Sequence, residues 1–269
     1  MSASIALPLR RIAAIVLRHL YLMRGSWPRA LELVYWPTMT MIVWGFTTQF
    51  LNTNSSWVAQ AAGVLIYAVL LWEIVLRSQF GVAFSFLEEM WSRNLGHLFV
   101  SPLTPVEWVL SLLAMSVIRV LFGVLPAALL AIPLYHYSVF DLGLPLLAFF
   151  TVLLVMGWAF GLGVVALILR KGLGAENFAW VAIFVLAPIS GIYYPIAVLP
   201  AWLQPVAWSL PTSYVFEGMR AVLFQHAFRV DYLLTALALD TLYIGLGALL
   251  LLWSFRYARH TGALLQMGE

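Results

Sequence analysis

Cysteine is absent from the 269 residues, and lysine occurs once, at Lys171. The first absence removes disulfides, thiolate ligands for zinc or iron–sulfur clusters, and a cysteine nucleophile. The second removes a phosphate-binding loop, which needs glycines followed by Lys-Ser or Lys-Thr, because Lys171 is followed by Gly172. Neither an HExxH zinc pattern nor a GxSxG elbow occurs, and no histidine stands with carboxylates as a metal cluster. The histidines are scattered at 19, 97, 136, 226 and 260, so a proton relay is disfavoured. The sequence carries no visible equipment for catalysis and no loop for binding ATP.

Charge is also scarce. Only 9% of residues are charged and 64% are hydrophobic, against about 25% and roughly 45–50% in soluble proteins. This is the composition of an all-α membrane protein. The formal charge of +3 does not imply nucleic acid, because the basic residues form no phosphate-neutralising stripe. Arg10 and Arg11 precede the short run IAAIVL, which Arg18 ends below the length of a signal-peptide core. No cleaved leader is expected.

A transmembrane helix needs about 20 mostly apolar residues. Such runs predict six transmembrane helices near 31–51, 58–80, 106–132, 144–169, 177–194 and 232–254. An N-terminal interfacial helix is predicted over residues 5–24, with arginines at 10, 11, 18 and 24. The first domain is then 1–30 and the transmembrane domain 31–269. Arg10, Arg11, Arg18, Arg24, Arg29, Arg93, Arg170, Lys171, Arg256 and Arg259 fall on one face of this layout, and Arg220 and Arg229 on the other. The positive-inside rule makes both termini cytoplasmic. Asn54-Ser55-Ser56 matches a glycosylation sequon in an outward loop, a pattern short enough to recur by chance. Gly157, Gly161 and Gly163 would let a neighbouring helix approach the fourth span closely.

Between the second and third spans lies LEEMWSRNLGHLFVSPLTPVEW, Leu87 to Trp108. Its periodicity predicts an amphipathic helix over 84–99. Leu87, Trp91, Leu95 and Leu98 share one stripe, and Glu88, Glu89, Ser92, Arg93, Gly96 and His97 share the opposite, cytosolic one. Glu89 and Arg93 are spaced to pair along it. Thr104-Pro105-Val106-Glu107 reads as a capping box that starts the next helix. Glu73, Arg77, Arg119 and Asp240 fall inside spans, where unpaired charge is costly. Interhelical pairs, for example Arg119 with Glu73 or Asp240, are the favoured reading, and a lining for a substrate path is the other.

Residues 194–229 are too apolar for an ordinary loop, yet Pro195, Pro200, Pro205 and Pro211 break any straight helix. Short outer-leaflet re-entrant helices satisfy both facts if protein shields the broken backbone. Ser213 could cap the last of them, and Glu217 and Arg220 could pair along it. Tyr193, Tyr194, Trp202, Trp208 and Tyr214 suit that depth.

YPIAVLPAWLQPVAWSLPTSYVFEGMR, from Tyr194 to Arg220, resembles the late segment of type-2 ABC exporter permeases, and Leu87 to Trp108 is similar to the same family's segment between the second and third spans. The resemblance implies that residues 84–101 form a cytoplasmic coupling helix whose Glu88, Glu89, Arg93 and His97 seat in a separate ATPase subunit. It implies an outer gate drawn from Tyr193, Tyr194, Pro195, Trp202, Glu217 and Arg220. It also implies two permease copies, two ATPase copies carrying ATP and Mg, contact with membrane lipid, and a bacterial inner membrane. The substrate would be amphipathic, a glycolipid or polysaccharide or a hydrophobic drug. Buried charges and broken segments leave two alternatives, an ion-coupled secondary transporter and a non-catalytic structural subunit, although the two halves show no convincing repeat.

Overall fold

The structure, a computed structural model, describes residues 2–52 and 56–261. Asn54 and Ser55 of the sequon therefore lie outside the described residues. Ten α-helices run through the described chain: α1 Ser2–Arg24, α2 Trp27–Asn52, α3 Ser56–Trp91, α4 Leu95–Val100, α5 Pro105–Tyr135, α6 Leu144–Lys171, α7 Phe178–Ile189, α8 Gln204–Trp208, α9 Pro211–Gln225 and α10 Val230–Thr261. Among the described residues there is no strand. Four helical stretches are long and apolar enough to cross a membrane: Gly63–Trp91, Pro105–Tyr135, Leu144–Lys171 and Val230–His260.

α3 is the hub. It packs against α2, α5 and α6, and 89% of its apolar stretch is buried inside the protein, against 33% for α5 and 17% for α10. The outward faces of α5 and α10 carry Leu121, Phe122, Leu129, Leu242, Leu249 and Trp253, large apolar side chains exposed on the surface of this chain.

Small residues set the spacing around the hub. A Cβ on Gly157 would stand 1.7 Å from Ser78 Oγ and 2.6 Å from the Val75 carbonyl oxygen, and one on Gly161 would meet Val82 at 2.8 Å. These two glycines make the predicted close approach of α6, and it is to α3. Gly163 points into open space. Beside this crossing, Ser116 Oγ of α5 donates to the Ser78 carbonyl at 2.9 Å, and Trp158 Nε1 of α6 donates to Ser116 Oγ at 3.2 Å.

The start of α5 is as predicted. Thr104 Oγ1 accepts from the Glu107 amide at 3.3 Å, Glu107 Oε2 accepts from the Thr104 amide at 2.8 Å, and Pro105 occupies the first turn. Two boundaries differ. The predicted break near 80–84 does not occur, because no proline interrupts α3, and its single helix extends to Trp91. It ends there because Arg93 turns into the left-handed region, φ 53°. The predicted fifth span is α7, twelve residues, which rise about 18 Å against a hydrocarbon core of about 30 Å. After it the proline-rich stretch forms short pieces, as expected, but α9 begins at Pro211 and buries Ser213 inside its first turn rather than using it as a cap.

Replacing Gly157 by alanine should lower stability by about 1–3 kcal/mol, the range for overpacking a filled contact, while the same change at Gly163 should be near neutral. Thermal unfolding of both variants in detergent measures the difference. Equal melting temperatures would refute this account of the α3–α6 crossing.

Candidate functional site at the end of the buried helix

The last turn of α3 carries Glu88 and Glu89 into contact with three other helices. Glu88 accepts both oxygens' worth of bonding from Arg119 of α5, whose Nη2 lies 3.0 Å from Oε1 and 2.9 Å from Oε2. His19 of α1 places Nδ1 3.1 Å from Glu88 Oε2 and Nε2 3.5 Å from Glu89 Oε1. Arg18 of α1 donates to Glu89, Asn94 Nδ2 donates to Glu89 at 2.8 Å, and Arg29 Nη1 of α2 approaches Glu88 at 4.0 Å. Farther along α1, Arg11 lies 3.4 Å from Glu107.

This arrangement corrects the expectation of an exposed acidic stripe. Glu89 is 0% exposed, and the side chain of Glu88 is 11% exposed. Their carboxylates face inward because the uninterrupted α3 keeps them on the turn that meets α1 and α5. The expected Glu89–Arg93 pair does not form, since the left-handed turn at Arg93 directs that side chain to solvent, where it is exposed with Ser92 and His97. Leu87 and Leu95 are buried as predicted, in a cluster with Phe86, Met90, Trp108 and Leu112. Trp91, predicted on the same apolar stripe, is 52% exposed, and Val100 is 89% exposed. The outward surface of the corner is thus Trp91, Arg93, His97 and Val100, cationic and apolar.

The charges placed within spans divide differently from the sequence expectation. Arg119 pairs with Glu88 and with neither Glu73 nor Asp240, whereas Glu73 accepts from Arg77 Nε at 3.1 Å, one turn away on its own helix. Helical rotation puts 73, 77, 84 and 88 on one face of α3, so the face toward α2 and α5 holds both ion pairs. Asp240 of α10 is 2% exposed, and neither carboxylate oxygen has a hydrogen-bond partner among the described residues.

At the other end of the fold, Glu217 and Arg220 pair at 3.2 Å, as spacing predicted. They also pin the turn before them. Glu217 Oε1 accepts from the Ile196 amide at 2.7 Å, and Arg220 Nη2 donates to the carbonyls of Gly191 and Ile192. Burial pushes the Arg220 guanidinium below its ordinary range, and Glu217 opposes the shift. Tyr194 donates to the Pro188 carbonyl at 2.6 Å, and Pro195 opens the short 3₁₀ turn Ile196–Val198. Tyr193 stacks on Trp44 of α2 with ring centroids 5.0 Å apart. Trp202, grouped with these residues from sequence, is 74% exposed.

A family model for the ABC-2 type transporter matches residues 13–224, the greater part of the chain. The chain belongs to the ABC-2 type transporter family. A comparison with curated proteins returns no match. As an ABC-2 permease it is an integral membrane transport subunit, and permeases of this family work with an ATPase subunit. Sequence reasoning missed His19 and Arg18 as partners of the acidic pair and Trp44 as a partner of Tyr193. For His19 and Arg18 the sequence signal was a polar residue breaking an apolar face, which does not name a partner, and Trp44 sits within an apolar run that gives no signal.

Removing Glu89 by an alanine substitution should cost the permease about 3 kcal/mol, the low end for breaking a buried pair because Arg18 is a third exposed. Limited proteolysis should then cut α1 faster in Glu89→Ala than in Arg93→Ala. Identical cleavage of the two variants would show that the carboxylate does not hold α1.

Proposed function

We propose that this chain is the transmembrane subunit of an ATP-driven exporter that moves an amphipathic substrate out of the cytoplasm or inner leaflet. The substrate class is a glycolipid or polysaccharide, or a hydrophobic drug. The reading includes six crossings with both termini cytoplasmic, the fifth made by the longer apolar stretch Leu173–Ile189 that contains α7, a bacterial inner membrane, two permease copies and two copies of a separate ATPase that carries ATP and Mg. It also takes residues 194–229 as re-entrant from the outer leaflet, with Tyr193, Tyr194, Pro195, Glu217 and Arg220 closing the outer end of the path.

The observation that carries this reading is the corner after α3. A six-residue helix ends the most buried helix of the fold and exposes Trp91, Arg93, His97 and Val100 together. Large apolar side chains beside the Arg93 guanidinium and the His97 imidazole on one small surface suit a protein partner whose cleft offers apolar contact and carboxylates. A push on that surface would reach α3 directly, and α3 touches α2, α5 and α6, so the bundle could be biased between two packings. Glu88 and Glu89 have a different role in this scheme. They hold α1 and α5 to the moving corner rather than touching the ATPase.

The test is purification of the permease with its ATPase in mild detergent, followed by ATPase assay and transport into inverted vesicles. Reversing both Arg93 and His97 to glutamate should reduce recovery of the ATPase at least tenfold while leaving the melting temperature of the permease unchanged. Retention of the ATPase and of transport in that double variant would refute the corner as the coupling surface. Recovery of the intact chain with no ATPase would refute the exporter reading.

A further inference from the structure

A cavity of about 190 Å³ opens beside the acidic corner, between the end of α1, the start of α2, and the faces of α3 and α5. Its wall carries Arg29, Arg77 and Arg119 together with Glu32 and Glu88, and its apolar part is Leu33, Phe80, Phe84 and Trp91. The guanidinium groups here have more donors than the site has acceptors. Each arginine offers five N–H groups. Arg119, 6% exposed, bonds through Nη2 to Glu88, and its Nε is buried with no partner among the described residues. Arg77, 8% exposed, bonds through Nε to Glu73. Glu88 is already shared among Arg119, His19 and Arg29, so it cannot satisfy the remaining donors. Glu32 is exposed at the cavity's outer edge.

Arg119 Nε is a buried donor without an acceptor among the described residues, which costs free energy, and Arg77 and Arg119 both line the cavity with N–H groups beyond those bonded to Glu73 and Glu88. A group with several oxygens in a compact arrangement would meet them, and forked N–H pairs match phosphate geometry. The aromatic wall beside the arginines would receive a hydrocarbon tail. We propose that this cavity binds the phosphate headgroup of an amphiphile, with Arg77 and Arg119 as its donors and Phe80 and Phe84 against its chain. The proposal deepens the exporter reading by naming a phosphate-bearing amphiphile as the class held at the inner end of α3. It rests on that reading only for what the ligand is used for, because binding requires the permease chain alone.

The experiment is native mass spectrometry of the purified full-length permease, without any ATPase, titrated with dioctanoyl phosphatidic acid, dioctanoylglycerol or inorganic phosphate. Phosphatidic acid should bind at least tenfold more tightly than dioctanoylglycerol, which lacks the phosphate. Arg119→Lys and Arg77→Lys, which keep the charge and lose the fork, should each weaken it about tenfold. Arg29→Gln, at a half-exposed position, supplies a variant that should fold normally and should weaken binding less. Displacement of the lipid by millimolar inorganic phosphate would support the site with the headgroup alone as sufficient ligand. Failure of phosphate to displace it would support the site with the tail required. Equal affinity for dioctanoylglycerol, or unchanged affinity in a folded lysine variant, would overturn the proposal. Absence of an ATPase partner in the co-purification above leaves this result unaffected, so the two failures are distinguishable.

Discussion

The burial of two adjacent carboxylates at the end of α3 is the constraint on which that end of the molecule depends. A carboxylate removed from water must be paired and hydrogen-bonded, and here the partners come from α1, α2 and α5 as well as from Asn94. Satisfying Glu88 and Glu89 therefore fixes where α1 lies, how far α5 reaches, and where α3 can stop. The left-handed turn at Arg93 makes that stop, and the short α4 follows it.

The same constraint decides which chemistry is left for the outside. With the acidic residues committed inward, the surface of the corner is cationic and apolar, which reverses the polarity that periodicity alone suggested. It also leaves Arg119 only partly satisfied beside a cavity. Structural role and candidate ligand role thus sit on one side chain, and a ligand there would touch the element that ties α5 to α3. Small residues serve the opposite end of the argument. Gly157 and Gly161 bring α6 close enough to α3 for Ser78, Ser116 and Trp158 to bond across three helices.

Much of the fold was legible in the sequence. Long apolar runs marked α5, α6 and α10, since their burial in lipid or protein is a property of composition. The capping box marked the start of α5 to the residue, because that interaction is local. The Glu217–Arg220 pair was legible for the same reason, and Gly157 and Gly161 because only a close neighbour needs such residues in series. The length of α3 was misread at its end. A charged turn looks like an interfacial helix whenever its partners are distant in sequence.

Sequence alone determined that this chain belongs in a membrane, that it is helical, and that it carries neither a cysteine site nor a phosphate-binding loop. Those properties are sums or short-range patterns, and each residue contributes independently of where the others lie. Tertiary structure alone decided that Glu88 and Glu89 face inward, that Arg119 takes Glu88 rather than Glu73 or Asp240, that Asp240 is buried without a described partner, and that Arg93, His97, Trp91 and Val100 form the outward corner. Contacts between residues about 70 positions apart, as between α1 and the end of α3, depend on helix rotation and depth, which no local pattern encodes.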